Sequence, residues 1–152
     1  MDDITYKYTD YKSKEFEQVI DLRFNILFAP YNKVEKYDYD ELDYISFHLV
    51  ALDKEKVVGY SRMTNDNGEG KITNVVVDSE HSQRGIGFEM MKRHIIKAKE
   101  CNINYLHLNS RLDTVNFYKK VGFQCKDDTF LSQKSGLILQ DMYFEIKVSK
   151  FL

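Results

Sequence analysis

Two short segments carry residue types at spacings that suggest chemistry. In the first, Val75-Val76-Val77 runs through Asp78-Ser79-Glu80-His81 into Ser82-Gln83-Arg84-Gly85-Ile86-Gly87-Phe88, where helical spacing begins. An apolar strand thus reaches a turn with two glycines, and the turn opens a helix. The first N–H groups of that helix lack internal partners, and the helix dipole is positive there. Glycine has no Cβ, so an anion can approach the backbone closely. Arg84 would add a mobile positive charge. On local grounds the segment is an anion site or simply a tight turn. A dinucleotide fingerprint would need Gly or Ala where Met90 stands, and the Gly-Lys-Ser/Thr of a P-loop is absent. The second segment is Asn116-Phe117-Tyr118-Lys119-Lys120-Val121-Gly122-Phe123. Phe117, Tyr118 and Val121 keep helical spacing, so a tyrosine there can serve simply to pack, and Gly122 suits a helix end.

The surrounding periodicity predicts the elements that would position these segments. Ile4, Tyr6 and Tyr8 alternate with polar residues as a first strand. Ser13 is placed to cap a helix whose apolar face is Phe16, Val19, Ile20, Phe24 and Leu27, ended by Pro30. Residues 31–44 are acidic and tyrosine-rich, a loop with one short helix. Ser46–Leu52, Val57–Met63 and Lys71–Val77 read as an antiparallel meander, joined at Asp53–Lys56 and at Asn65–Gly70, which contains Asn67-Gly68. Val75-Val76-Val77 is apolar on both faces, as in a central strand covered from both sides. A helix follows from Gly85 with Ile86, Met90, Ile95 and Ala98 on one face. Tyr105–Asn109 is a strand, Thr114–Val121 a short helix, and Gln124–Phe130 and Leu137–Val148 are closing strands. This order predicts a three-layer α/β (α+β) plan, with a mixed, mostly antiparallel sheet of about seven strands flanked by helices.

Composition narrows the classes. The 152 residues suit one domain spanning 1–152. A net charge of -2 argues against nucleic-acid binding, which needs a basic face. No apolar run reaches the roughly 18 residues of a membrane span, and the charged, alternating N-terminus is unlike a signal peptide. Cys101 and Cys125 are too few for a disulfide framework, so a cytoplasmic protein with two reduced core thiols is expected. His48, His81, His94 and His107 are scattered, with no cysteine at ligand spacing, so no metal is expected.

The order of the two motifs resembles the GNAT superfamily of acetyltransferases. Its pyrophosphate turn, Gln/Arg-x-x-Gly-x-Gly/Ala, is similar to Ser82–Gly87, and its aromatic-Tyr-x-x-x-Gly-Phe element is similar to Phe117–Phe123, one helix and one strand later. Upstream, Leu22-Arg23, the acidic Asp38–Asp43 run, His48-Leu49-Val50 and Val58–Met63 resemble the ElaA-like branch, so the likeness covers nearly the whole chain. Two positions depart from the pattern: Ser82 replaces the usual Gln or Arg, and Arg111 stands where an Asn is often found. The resemblance implies that acetyl-CoA lies between the splayed strands Lys71–Val77 and Tyr105–Asn109. Its pantetheine would pair with backbone at Val75, Val76 and Val77, and its pyrophosphate would rest on Gln83, Arg84, Gly85, Ile86, Gly87 and Phe88. Asn109 and Asn116 complete the cofactor set it implies. An amine then attacks the thioester directly, and Tyr118 is the general acid to the CoA thiolate.

The acceptor that the resemblance implies is a small-molecule or peptide amine. Glu69 and His107 are candidate bases, although each also reads as a solvated turn glutamate and a strand histidine hydrogen-bonded in place. Asp38, Asp40, Glu41 and Asp43 either draw in a cationic amine or form a solvated loop face. Arg23 and Arg62 either hold an acceptor carboxylate or pair with that acidic run. Residues 28–45 and the Asn65–Gly70 hairpin would set acceptor specificity, and exposed Tyr37 and Tyr39 leave room for a homodimer. Two alternatives share the fold: a non-catalytic acyl-CoA sensor or interaction module, and a general nucleotide-phosphate module.

Overall fold

Alternation in the first strand-like run becomes β1 (Ile4–Thr9), which lies antiparallel to β2 (Ser46–Asp53), with Ile4 opposite Asp53 and Thr9 opposite His48. The computed structural model describes residues 3–28 and 41–146. Pro30, Tyr37, Asp38, Tyr39 and Asp40, and the end of the expected strand at Val148, lie outside them. β2, β3 (Lys56–Asp66) and β4 (Glu69–Val77) form the expected meander. Their turns are tighter than the sequence suggests. Asn67 and Gly68 both have positive φ, 53° and 90°, as a two-residue primed hairpin turn requires.

Among the described residues seven strands make one sheet in the order β1-β2-β3-β4-β5-β7-β6, with β5 at Tyr105–Arg111, β6 at Gln124–Leu131 and β7 at Ile138–Glu145. Only β4 and β5 run parallel; every other neighbouring pair is antiparallel. Helices cover both faces. α1 (Lys14–Arg23) packs Phe16, Val19 and Ile20 against Val50, Leu52, Val57, Tyr60 and Val76. α2 (Ile86–Glu100) and α3 (Val115–Val121) cover the other face, where Ile86, Met90, Met91 and Ala98 meet Leu49, Ala51, Val58 and Leu106. Leu49 through Leu52 feed the two cores alternately, which is why that stretch reads as a continuous apolar run. Each buried Leu, Val, Ile, Phe or Met side chain contributes about 1.5–3 kcal/mol.

Several local expectations need correction. Ser13 occupies the N-cap of α1 but makes no capping hydrogen bond, and its Oγ is buried without a partner. The α-helix stops at Arg23 and continues as a π-helical turn over Phe24–Phe28. Val76 faces the α1 core, whereas Val75 and Val77 pack on the α2 side. Cys125 is not a core thiol: it is exposed on β6, every residue of which is exposed, and Cys101 is only partly buried. A register shift between Lys126 and Phe130, with Asp127 at φ 60°, interrupts that outer strand. Such a bulge blunts an edge against further pairing.

Candidate active site

The parallel pairing of β4 with β5 lasts for three residues, Glu69 with Tyr105, Gly70 with Leu106 and Lys71 with His107. Beyond that point the two strands have no register partners in each other. The wedge they leave is a cleft of about 750 Å³. β4 lines it from Ile72 to Val77 and β5 from Leu108 to Arg111. The turn before α2 supplies Ser82, Gln83, Gly85, Ile86, Gly87 and Phe88, and α3 supplies Phe117, Tyr118 and Lys120.

Beside the wedge, β4 also departs from β3. Tyr60 pairs with Val76 but Arg62 pairs with Thr73, so Asn74 and Val75 form a bulge. Asn74 has φ 56°, a left-handed conformation that asparagine tolerates better than most residues. A bulge interrupts the ladder and adds local twist, which turns β4 away from β5. Thr73 and Asn74 were not singled out as site residues by sequence reasoning. The available signal was a polar Thr-Asn pair inside an otherwise apolar strand run.

The turn itself is built for an anion. Gly85 precedes α2 at φ 76°, and Gln83 is also left-handed at φ 62°. The first helical bond at this end runs from Glu89 N to Gly85 O at 3.0 Å. The N–H groups of Ile86, Gly87 and Phe88 therefore stand at the positive end without intrahelical partners. A Cβ on Gly87 would lie 3.1 Å from Cζ of Phe117, so a glycine there lets α2 and α3 approach. His81, which also lines the cleft, hydrogen-bonds Asp53 Oδ2 through Nε2 at 3.1 Å.

Tyr118 is buried, 8% exposed, edge-on to Phe117 (5.0 Å) and to Phe123 (5.9 Å). Its ring packs, and its hydroxyl makes no hydrogen bond among the described residues. Burial pushes its phenol up to about 12, while the charge of Arg111 acts in the opposite sense. The group therefore keeps its proton at neutral pH and has it available to donate.

Of the residues expected to hold a cofactor, Val75, Val76, Val77, Gln83, Gly85, Ile86, Gly87, Phe88 and Asn109 all line the one cleft, with Tyr118. Arg84 and Asn116 lie outside its lining; both are exposed. Glu69 and His107 also lie outside it, together in a second cleft with Tyr105, Lys126 and Asp141. His107 has a ring contact with Tyr105 at 6.2 Å rather than the hydrogen bond expected of it. Arg23 and Arg62 do pair with the acidic run: Asp43 receives Arg23 Nη1 at 2.9 Å and Arg62 Nη1 at 2.9 Å. The expected solvated face fails at this residue, because the Asp43 side chain is fully buried. Glu41 is exposed. Among the described residues no three His, Cys, Asp or Glu side chains gather as a metal site, and no helix is long and apolar enough to cross a membrane.

Comparison with known proteins bears on this arrangement. A family model described as an acetyltransferase (GNAT) domain matches residues 24–146. A curated relative, the uncharacterized N-acetyltransferase YjcF of Bacillus subtilis, is 31% identical over 115 residues, covering 74% of this chain and 82% of the relative. Among solved structures, ElaA of Escherichia coli superposes with a TM-score of 0.81 at 16% identity, over 93% of this chain and 99% of that one. An acyl-CoA N-acyltransferase from Pseudomonas aeruginosa gives a TM-score of 0.77 at 20% identity, over 93% and 99%. With the family model spanning both the wedge and the turn, the chain belongs to the GNAT family of acetyltransferases.

Proposed function

We propose that the chain transfers an acetyl group from acetyl-CoA to a primary amine by direct attack, with Tyr118 as general acid. The observation that carries this reading is the convergence of three features on one cleft: the wedge between β4 and β5, the anion turn at Gln83–Phe88, and the Tyr118 hydroxyl. The residues fit the cofactor. Unpartnered amides at Ile86–Phe88 suit a pyrophosphate, and the β4 edge at Val75–Val77 suits an extended amide-bearing arm. Bound there, acetyl-CoA supplies an activated thioester carbonyl. Val75–Val77 and Leu108–Ser110 would hold the arm between them and exclude water from it. Tyr118, fixed by its aromatic neighbours, would donate its proton to the departing sulfur as the C–N bond replaces the C–S bond, and the proton shed by the attacking nitrogen would restore the phenol. In this reading Cys101 and Cys125 remain thiols in a reducing cytoplasm.

Thermal melting tests the cofactor. A ligand at 100 times its dissociation constant stabilises by about 2.7 kcal/mol. For a domain of this size the midpoint should rise by roughly 5–10 °C with acetyl-CoA or CoA and stay unchanged with ATP or NAD. Tyr118→Phe keeps the packing and removes the proton. Its acetyl-CoA shift should persist while kcat falls about 10²-fold or more. Full turnover in that variant would refute the acid role; no CoA shift at all would refute the cofactor.

A further inference from the structure

Buried polar atoms without partners are rare in folded proteins, and each calls for a reason. Among the described residues three side-chain atoms are in this state: Ser13 Oγ, His81 Nδ1 and Asn74 Nδ2. Ser13 lies at the start of α1, whereas the other two line the cleft. His81 still engages Asp53 through Nε2. Asn74 engages nothing: neither end of its side-chain amide makes a hydrogen bond among the described residues, and Oδ1 is open to solvent while Nδ2 is not. The same residue carries a left-handed backbone, φ 56°, at the bulge of β4. Two local costs thus fall on one residue of the cleft wall, as expected where a structure is arranged for a ligand rather than for stability.

Position decides which ligand atom answers that donor. The anion turn lies beyond the C-terminal end of β4, and Val77, Val76 and Val75 lead back from it. On the acetyl-transfer reading the extended arm follows those three residues. Asn74 is the next, about 10 Å of strand from Val77. It therefore stands at the acyl end of the arm, in the cleft that Tyr118 also lines. The acceptor atom that a thioester offers there is its carbonyl oxygen. The neighbouring Thr73 hydroxyl is already taken by Arg62 Nε at 3.0 Å. The terminal torsion of asparagine is soft, so a turn of the amide brings Nδ2 to the opening that Oδ1 occupies. A carbonyl is then left inside, and proteins leave a buried C=O unpaired more often than a buried N–H.

We infer that Asn74 is a further catalytic residue, its side-chain amide donating from Nδ2 to the thioester oxygen as negative charge develops there. The attacking nitrogen bonds to the carbonyl carbon, and the C=O pair moves onto the oxygen, where the amide holds it. That pair then re-forms the double bond, and the C–S bond breaks with its electrons on the sulfur that Tyr118 protonates. The inference rests on the acetyl-transfer reading. Calorimetric titration of the full chain with acetyl-CoA and with CoA isolates the acetyl group. The wild type should prefer acetyl-CoA. Asn74→Gly keeps the left-handed backbone and removes the amide, so it should lower that preference about two- to tenfold with CoA affinity unchanged. Asn74→Asp keeps the shape without an N–H and should lose the preference equally. In infrared difference spectra, bound acetyl-CoA isotopically labelled at its carbonyl carbon should show its carbonyl band at lower frequency in the wild type than in either variant. Equal weakening of both ligands would reveal a merely structural role and overturn the inference. An unchanged preference and band position in both variants would overturn it while leaving the acetyl-CoA reading intact. A wild type that binds neither ligand refutes that reading and the inference with it.

Discussion

The buried carboxylate of Asp43 gathers charge from two elements, α1 and β3. Arg23 at the end of α1 donates to both of its oxygens, Nη1 at 2.9 and 3.2 Å and Nη2 at 3.2 Å. Arg62 of β3 donates a further bond at 2.9 Å, and its Nε reaches Thr73 Oγ1 at 3.0 Å. Thr73 lines the cleft beside the Asn74–Val75 bulge, so this cluster ties α1 to the cleft wall. His48 belongs to it as well, bonding the Asp43 carbonyl through Nε2 at 2.8 Å and the Tyr60 hydroxyl through Nδ1 at 2.6 Å. Breaking a buried ion pair from one side is costly because the partner stays buried, typically about 3–5 kcal/mol. Asp43→Ala should therefore lower the urea-derived stability by about that much. A loss below about 1 kcal/mol would mean that the two guanidinium groups do not depend on this carboxylate. Sequence could name Arg23, Arg62 and the acidic run as partners. It could not choose Asp43, because the choice depends on residues some twenty positions apart meeting in space.

At the scale of elements, α2 was legible from its period, yet one residue of its buried face was not. His94 falls on the same stripe as Met90 and Ala98 and is fully buried. Its Nε2 meets Ser61 Oγ at 2.7 Å and its Nδ1 meets the Tyr8 hydroxyl at 3.1 Å, so α2 is bonded to β3 and β1 through one ring. Desolvation lowers His94 to about 3. An unfolded histidine titrates near 6.5, so the folded state binds fewer protons throughout the interval between. Stability from the neutral ring is complete above pH 6.5 and is lost as pH falls toward 3, at about 1.4 kcal/mol per unit. At pH 5 the cost is about 2 kcal/mol. His48, also lowered by burial, acts in the same direction. Denaturant midpoints measured from pH 7 to 5 should fall in the wild type. His94→Leu should start lower, because Ser61 and Tyr8 lose their partner, but descend less steeply. Parallel slopes would show that His94 is not the group responsible. Boundaries were the less legible part: the sequence shows that β3 and β4 are strands, but not that their register shifts at Asn74–Val75, where a bulge replaces continued alternation.

The molecule as a whole is two stretches of sheet joined at a narrow seam. On one side, β1 to β4 are paired along most of their length; on the other, β5, β7 and β6 are paired with one another. Three residue pairs, Glu69–Tyr105 to Lys71–His107, are all that join them within the sheet. The strand types and their order were readable from periodicity and turn residues. Periodicity did not show the seam, which only the family resemblance implied, because where a parallel pair parts depends on packing by α2 and α3, which fill the core behind it. That geometry opens the cleft and also leaves few cross-seam hydrogen bonds. Segments with few such bonds open at lower free energy than the rest of a fold. Amides of β5 and α3 should accordingly exchange with solvent faster than those of β2 and β3. A ligand lying in the wedge bridges the two stretches, and ligand binding suppresses any opening that destroys the site. Hydrogen exchange with saturating acetyl-CoA should slow at Ile72–Val77, at Leu108–Arg111 and at Ile86–Phe88 together. Protection confined to Ile86–Phe88 would mean that the turn holds the phosphates while the wedge stays empty, and that β4 and β5 part for some other reason than to hold an extended chain.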